Sequence, residues 1–204
     1  MTIQLLLAFI TFAFVMSVTP GPNNMMLLAS GVNFGLRRSL PHLLGISLGL
    51  MLMVCAMGFG LGQLLKLYPP LFNILRYVGG AYLLYLSWRI ATAAAPQVDG
   101  AADAKPFGLL QAAAFQWVNP KAWIMAVAAI TTYAPAQPLW HQVLLIAGLF
   151  ALINYPTCSI WVLAGSLLRR TLNNPRRRRQ FNAAMAALLV LSLYPLLLPA
   201  PGVV

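Results

Sequence analysis

An all-α integral membrane protein is the expected architecture of this 204-residue chain. Six transmembrane helices are expected, arranged as two inverted three-helix repeats, with helices 1, 4 and 5 interrupted. Three observations lead there. Hydrophobic residues make up 61% of the chain and charged residues only 7%, whereas a soluble domain carries about a quarter charged residues. Six long apolar runs are separated by short gaps rich in basic residues or proline. A proline–asparagine interruption also lies in the first apolar run of each half. The composition excludes an ordinary soluble enzyme, a disordered tail and a small disulfide scaffold, and leaves a chain solvated mostly by lipid.

The elements follow from the breaks. A spanning helix needs about 20 apolar residues. Gaps at Arg37-Arg38, Lys66 to Pro70, Ala95 to Pro106, Pro135 to Pro138 and Arg169 to Arg179 leave spans at 3–34, 41–64, 71–94, 107–133, 139–167 and 181–198. No Lys or Arg precedes Arg37, so the first run lacks the positive start of a removable signal peptide and reads as a retained helix. Basic residues concentrate in the first, third and fifth gaps (Arg37 and Arg38; Lys105 beside Arg89; Arg169, Arg170 and Arg176 to Arg179). The second offers Lys66, with Arg76 nearby. The positive-inside bias therefore places the odd gaps in the cytoplasm and both termini outside it.

The third gap reads as a cytoplasmic linker, 95–106, bracketed by prolines and holding both acids of the chain, Asp99 and Asp103. It separates a first repeat, 1–94, from a second, 107–204. Three spans is an odd number, so the second half enters the membrane upside down, as in many secondary transporters.

Charge and cysteine content narrow the function classes. The net charge is +11, from thirteen Lys and Arg against two acids. The basic residues sit between apolar runs and form no amphipathic stripe, so nucleic acid is not the expected partner. The run Arg176, Arg177, Arg178, Arg179 suits anionic lipid at the cytoplasmic face. Cys55 and Cys158 lie inside apolar segments and read as small buried hydrophobes. His42 and His141, near the ends of spans 2 and 5, receive no role. With no Asp or Glu in any span, there is no acid pair for hydrolysis, no metal-ligand set and no carboxylate relay. No catalytic residue, metal or cofactor is expected. Small residues such as Gly31, Gly45 and Gly49 read as helix-packing positions.

Three polar clusters are candidate binding residues. Thr19-Pro20-Gly21-Pro22-Asn23-Asn24 places two prolines around a glycine in an apolar run. Each proline removes a backbone donor, and freed groups at membrane depth belong inside protein or beside a watery cavity. Pro22 suits the first turn of a second half-helix, whose free N–H groups at residues 23 to 25 would seat an anion such as a carboxylate. A plain packing kink is the alternative, but the doubled proline favours a site. Gln116, Asn119, Pro120 and Lys121 form the second cluster. Residues two apart on a helix point about 200° apart, so Asn119 and Lys121 converge only if the helix breaks at Pro120. Otherwise Lys121 marks the cytoplasmic edge of the span, and both arrangements fit. The third cluster is Asn154 and Tyr155 before Pro156, which frees the carbonyl of Leu152. These groups suit an ammonium or hydroxyl, and equally a helix–helix contact.

Thr19-Pro20-Gly21-Pro22-Asn23-Asn24, then Ser30-Gly31, Gly35-Leu36-Arg37, Gly45 and Gly49, resemble the start of the LysE/RhtB family of bacterial amino-acid exporters. Tyr77-Val78-Gly79-Gly80-Ala81-Tyr82-Leu83 ahead of Trp88 is similar to that family's third helix, and Gln116-Trp117-Val118-Asn119-Pro120-Lys121 to its fourth. The resemblance runs from about residue 15 to 165; the last forty residues match only in general character. It implies a small carrier of the bacterial inner membrane, exporting amino acids or close derivatives. Family substrates include basic amino acids, homoserine, threonine, leucine and cysteine derivatives. In the mechanism expected here, the half-helix from Pro22 holds the substrate carboxylate, with Lys121 as second partner. Asn119, Asn154 and freed carbonyls hold its ammonium. Rocking of the two halves exposes the site to each side in turn. A lysine without a compensating acid repels cationic substrates, so neutral amino acids are favoured. The other reading is export of a different solute, such as a metal cation or a basic amino acid. Association with further copies of the chain stays open.

Overall fold

The computed structural model describes residues 1–92, 106–172 and 174–194. The expected linker with Asp99, Asp103 and Lys105, and the ends of the third and sixth spans, lie outside the described residues, as do the side chains of Lys66 and Arg76. Every regular element among the described residues is helical.

The first apolar run is a broken helix. α1 (Ile3–Val18) starts on Thr2, whose Oγ1 accepts the N–H of Leu5 at 3.2 Å. α2 (Pro22–Phe34) follows at an angle of 54°. Proline dictates this break. A proline pushes the residue before it out of the helical region. Thr19, before Pro20, has ψ 144°, and Gly21, before Pro22, is fully extended at φ −176°. Two such residues in succession leave no helical path across positions 19–21.

α2 turns into α3 (Leu36–Ala56) through Gly35, whose φ of 80° is a left-handed conformation that suits glycine. Arg37 and Arg38, expected in a gap, instead lie in the first turn of α3, and Pro41 is carried within the helix. A wide turn at Met57–Leu61, kinked at Gly60, leads to α4 (Gly62–Leu67). α5 (Pro69–Ala91) completes the first half.

A second break follows later in the chain. α6 (Leu109–Phe115) tightens into a 3₁₀ turn at Gln116–Val118, Asn119 is extended, and α7 (Pro120–Tyr133) begins again. Asn-Pro is a helix-starting pair, with the asparagine as cap and the proline at the first helical position. Asn174-Pro175 uses the same chemistry to start α9 (Pro175–Leu191).

α8 (Trp140–Thr171) corrects the expectation of a third interruption: it runs unbroken for 32 residues with Pro156 inside it. Here the residue before proline is Tyr155, which cannot cap. The nearby Asn154 spends its side chain on other helices, as described below. One lost backbone bond in a long, well-packed helix does not break it.

Two helices, Leu36–Leu64 and Trp140–Thr171, are long and apolar enough to cross a membrane, and the bent pair α1–α2 makes a third such span. α2 and α3 pack on α8, α3 on α6, α1 on α8, and α5 on α9. Close approach rests on glycine at the α2–α8 crossing: a methyl on Gly31 would strike the Val162 carbonyl, and one on Gly165 the Leu28 carbonyl. Phe9, Leu50, Met53, Ala126 and Phe150 form one apolar core, at one end of the bundle. Met26, Leu83, Leu86, Phe115 and Leu189 form another. The two breaks join helices belonging to these separate cores.

Candidate functional site

The two breaks meet. Buried polar groups concentrate there, as they must if each is to find a partner. Asn24, 3% exposed, reaches back across the first break. Its Nδ2 donates to the Ser17 and Thr19 carbonyls, both at 2.8 Å, tying the start of α2 to the end of α1. Asn23 and Gln116 exchange amide hydrogen bonds at 2.8 and 3.2 Å, linking the first break to the second. Gln116 also donates to the Ala112 carbonyl at 2.9 Å. Asn119 caps α7, its Oδ1 accepting the Lys121 N–H at 3.1 Å. Asn154 bridges α1 and α3: it donates to Ser17 Oγ and accepts from Ser47 Oγ, each at 2.9 Å.

Lys121 faces the site, because the chain breaks at Pro120. The ammonium donates to the Thr19 carbonyl at 2.7 Å, to Thr19 Oγ1 at 2.9 Å and to the Pro20 carbonyl at 3.5 Å. It therefore stands at the carbonyl, partly negative end of α1. The Lys121 side chain lies against Gly21, where an added Cβ would be 2.7 Å from Cδ.

A cavity of about 20 Å3 lies between the breaks, lined by Met16, Ser17, Gly21, Asn23, Asn24, Asn119, Lys121, Met125, Asn154 and Cys158. It has room for about one water and is too small for an amino acid. α2 points its first turn at this cavity. Gly21, its cap residue, supplies no side-chain acceptor, and the N–H groups of Asn23 and Asn24 have no acceptor within the helix. The Met25 N–H, expected to be free, bonds the Gly21 carbonyl at 3.0 Å. The first turn of α2 thus has one fewer free N–H than the sequence suggested.

Tyr155 does not join the site; it is exposed on the surface of α8 and absent from the cavity lining. Cys158, expected as a mere hydrophobe, does join: Sγ lies 3.5 Å from Asn24 Oδ1 and 3.8 Å from the Ser17 carbonyl. Its spacing from Asn154, one helical turn, was a usable signal. Ser17 and Ser47 were missed because a lone serine in an apolar run is commonplace. Among the described residues no group of three or more His, Cys, Asp or Glu could hold a metal ion. On the basic run, Arg176, Arg177 and Arg179 are exposed, but Arg178 turns inward and donates to the Leu172 carbonyl at 3.3 Å. It is not available to a lipid headgroup, because α9 already begins at Pro175 and one face of its first turns packs inward.

The arrangement offers a broken helix with its two ends of opposite polarity beside one polar cavity, crossed by a lysine. A family model described as "LysE type translocator" matches residues 14–194. The chain is 36% identical to the cysteine/O-acetylserine efflux protein of Salmonella typhimurium strain LT2 over 194 residues, covering 93% of this chain and 96% of that protein. The proteins of the same name from Escherichia coli strain K12 and Shigella sonnei strain Ss046 are each 35% identical over the same shares. No solved structure matches.

Proposed function

The chain belongs to the LysE type translocator family, and from that premise we propose that it exports small neutral amino acids across the bacterial inner membrane. Cysteine and O-acetylserine lead the set, because the relatives that match across nearly their whole length are named for them. The protein is a transporter and not an enzyme.

The observation that carries this reading is the break at Thr19 to Gly21. A zwitterion presents a carboxylate and an ammonium a short distance apart. The break brings the first turn of α2 to a cavity whose wall includes Ser17 of α1, with the Thr19 and Pro20 oxygens held by Lys121 beside it. Peptide dipoles can thus serve both charges without any acid in the span. Asn24 holds the two half-helices together, and Asn154 fixes the end of α1 against α3. Cationic amino acids would add a second positive charge beside Lys121, with no carboxylate among the described residues to offset it.

Two three-helix halves of opposite orientation, each opening on a broken helix, meet at this site. Their rocking enlarges the cavity towards one face and then the other. Arg176, Arg177 and Arg179 rest on anionic lipid. The test is flux from proteoliposomes loaded with labelled cysteine, O-acetylserine, threonine, leucine and lysine, with and without a proton gradient. Saturable release of cysteine and O-acetylserine exceeding that of lysine is expected. Equal leak of all five from vesicles with and without the protein would sink the reading.

A further inference from the structure

Lys121 has three N–H donors on its ammonium, and all three find acceptors on the end of α1: the Thr19 carbonyl, Thr19 Oγ1 and the Pro20 carbonyl. No Asp or Glu is present among the described residues. A lysine held wholly by main-chain and hydroxyl oxygens, in the wall of a cavity meant for a zwitterion, occupies the groups best suited to that zwitterion's own ammonium.

We propose that the Thr19–Pro20 oxygens are the ammonium subsite of the carrier, and that Lys121 fills it as an internal substitute whenever substrate is absent. This rests on the export reading above. The arriving ammonium and the Lys121 ammonium cannot share three acceptors, since like charges at contact distance repel strongly. Entry of substrate therefore expels Lys121. Once expelled, its ammonium lies in the same cavity as the substrate carboxylate, beside the N–H groups of α2. Return of Lys121 to the oxygens displaces the substrate in turn. The exchange keeps the acceptors occupied throughout the cycle.

Gly21 supplies an independent handle. Its extended φ is open to any residue, and a methyl there would stand 2.7 Å from Lys121 Cδ and 3.3 Å from Nζ. Gly21→Ala therefore pushes the flexible lysine off the oxygens without removing its charge.

Binding of labelled cysteine, kept reduced, is measured on purified wild type, Lys121→Met and Gly21→Ala in lipid nanodiscs. Removal of the internal competitor is expected to lower Kd about tenfold in both variants, equal to about 1.4 kcal/mol. Turnover in proteoliposomes is expected to fall, because release loses its displacing group. In wild type, O-acetylserine competes with cysteine, while its isomer N-acetylserine, which has no ammonium, does not. A Kd unchanged or raised in Lys121→Met, or full competition by N-acetylserine, overturns the proposal. If Lys121→Met fails to insert, Gly21→Ala decides by the same rule. Failure of the export reading is distinct: wild type itself then neither binds nor carries cysteine.

Discussion

Asn24→Ala is the sharpest test of whether the first break is a working device or a packing kink. The side chain makes two 2.8 Å bonds, to the Ser17 and Thr19 carbonyls, and it is nearly fully buried. The two acceptors do not suffer equally. The Thr19 carbonyl keeps Lys121 at 2.7 Å. The Ser17 carbonyl keeps only the Cys158 thiol at 3.8 Å, a weak donor at long range. One bond is thus lost at a net cost of about 1 kcal/mol, and the other leaves a buried acceptor poorly satisfied at about 1–3 kcal/mol. The sum, about 2–4 kcal/mol, falls on the tie between α1 and α2. If that tie sets the site geometry in the transporting state, initial efflux of cysteine falls about 30- to 700-fold per inserted molecule. The assay is initial-rate release from proteoliposomes, normalised to protein protected in the bilayer. Efflux within twofold of wild type, with normal insertion, would refute the idea that the helix ends are held for substrate.

Other perturbations test other parts of the structure. In a double-mutant cycle on Asn23→Ala and Gln116→Ala, the reciprocal amide pair is expected to show a coupling of about 1–2 kcal/mol in detergent stability; additive losses would mean the two breaks are not coupled. Gly165→Leu forces side-chain atoms into the Leu28 carbonyl at the α2–α8 crossing and should lower thermal stability by at least about 1–3 kcal/mol, read as early aggregation on size-exclusion chromatography after heating. Tyr155→Phe should leave cysteine efflux within twofold of wild type, because that ring lies on the outer surface of α8; a large loss would return Tyr155 to the site.

The break positions were legible because proline acts locally. Thr19-Pro20-Gly21-Pro22 and Asn119-Pro120 carry their own steric instruction, and each pre-proline residue sits in extended backbone as that instruction requires. Pro156 was misjudged for a reason equally local: the residue before it is tyrosine, not the asparagine or glycine that would let a new helix start there.

By itself the sequence determined the solvent of this protein, since no fold could hide 61% hydrophobic residues from water with 7% charged ones. It also determined where two helices break, because φ restriction and a missing N–H do not depend on neighbours. Tertiary structure alone decided what the long polar side chains do. Lys121 could have reached several acceptors from Pro120 onward; the crossing of α7 with the end of α1 selected the Thr19 and Pro20 oxygens. Packing also decided that Cys158 faces the cavity while Tyr155 faces outward, and that Arg178 folds inward while its neighbours stay exposed. A flexible side chain goes to whichever partners the fold brings within reach; Lys121 finds its nearest acceptor 102 residues away in the chain.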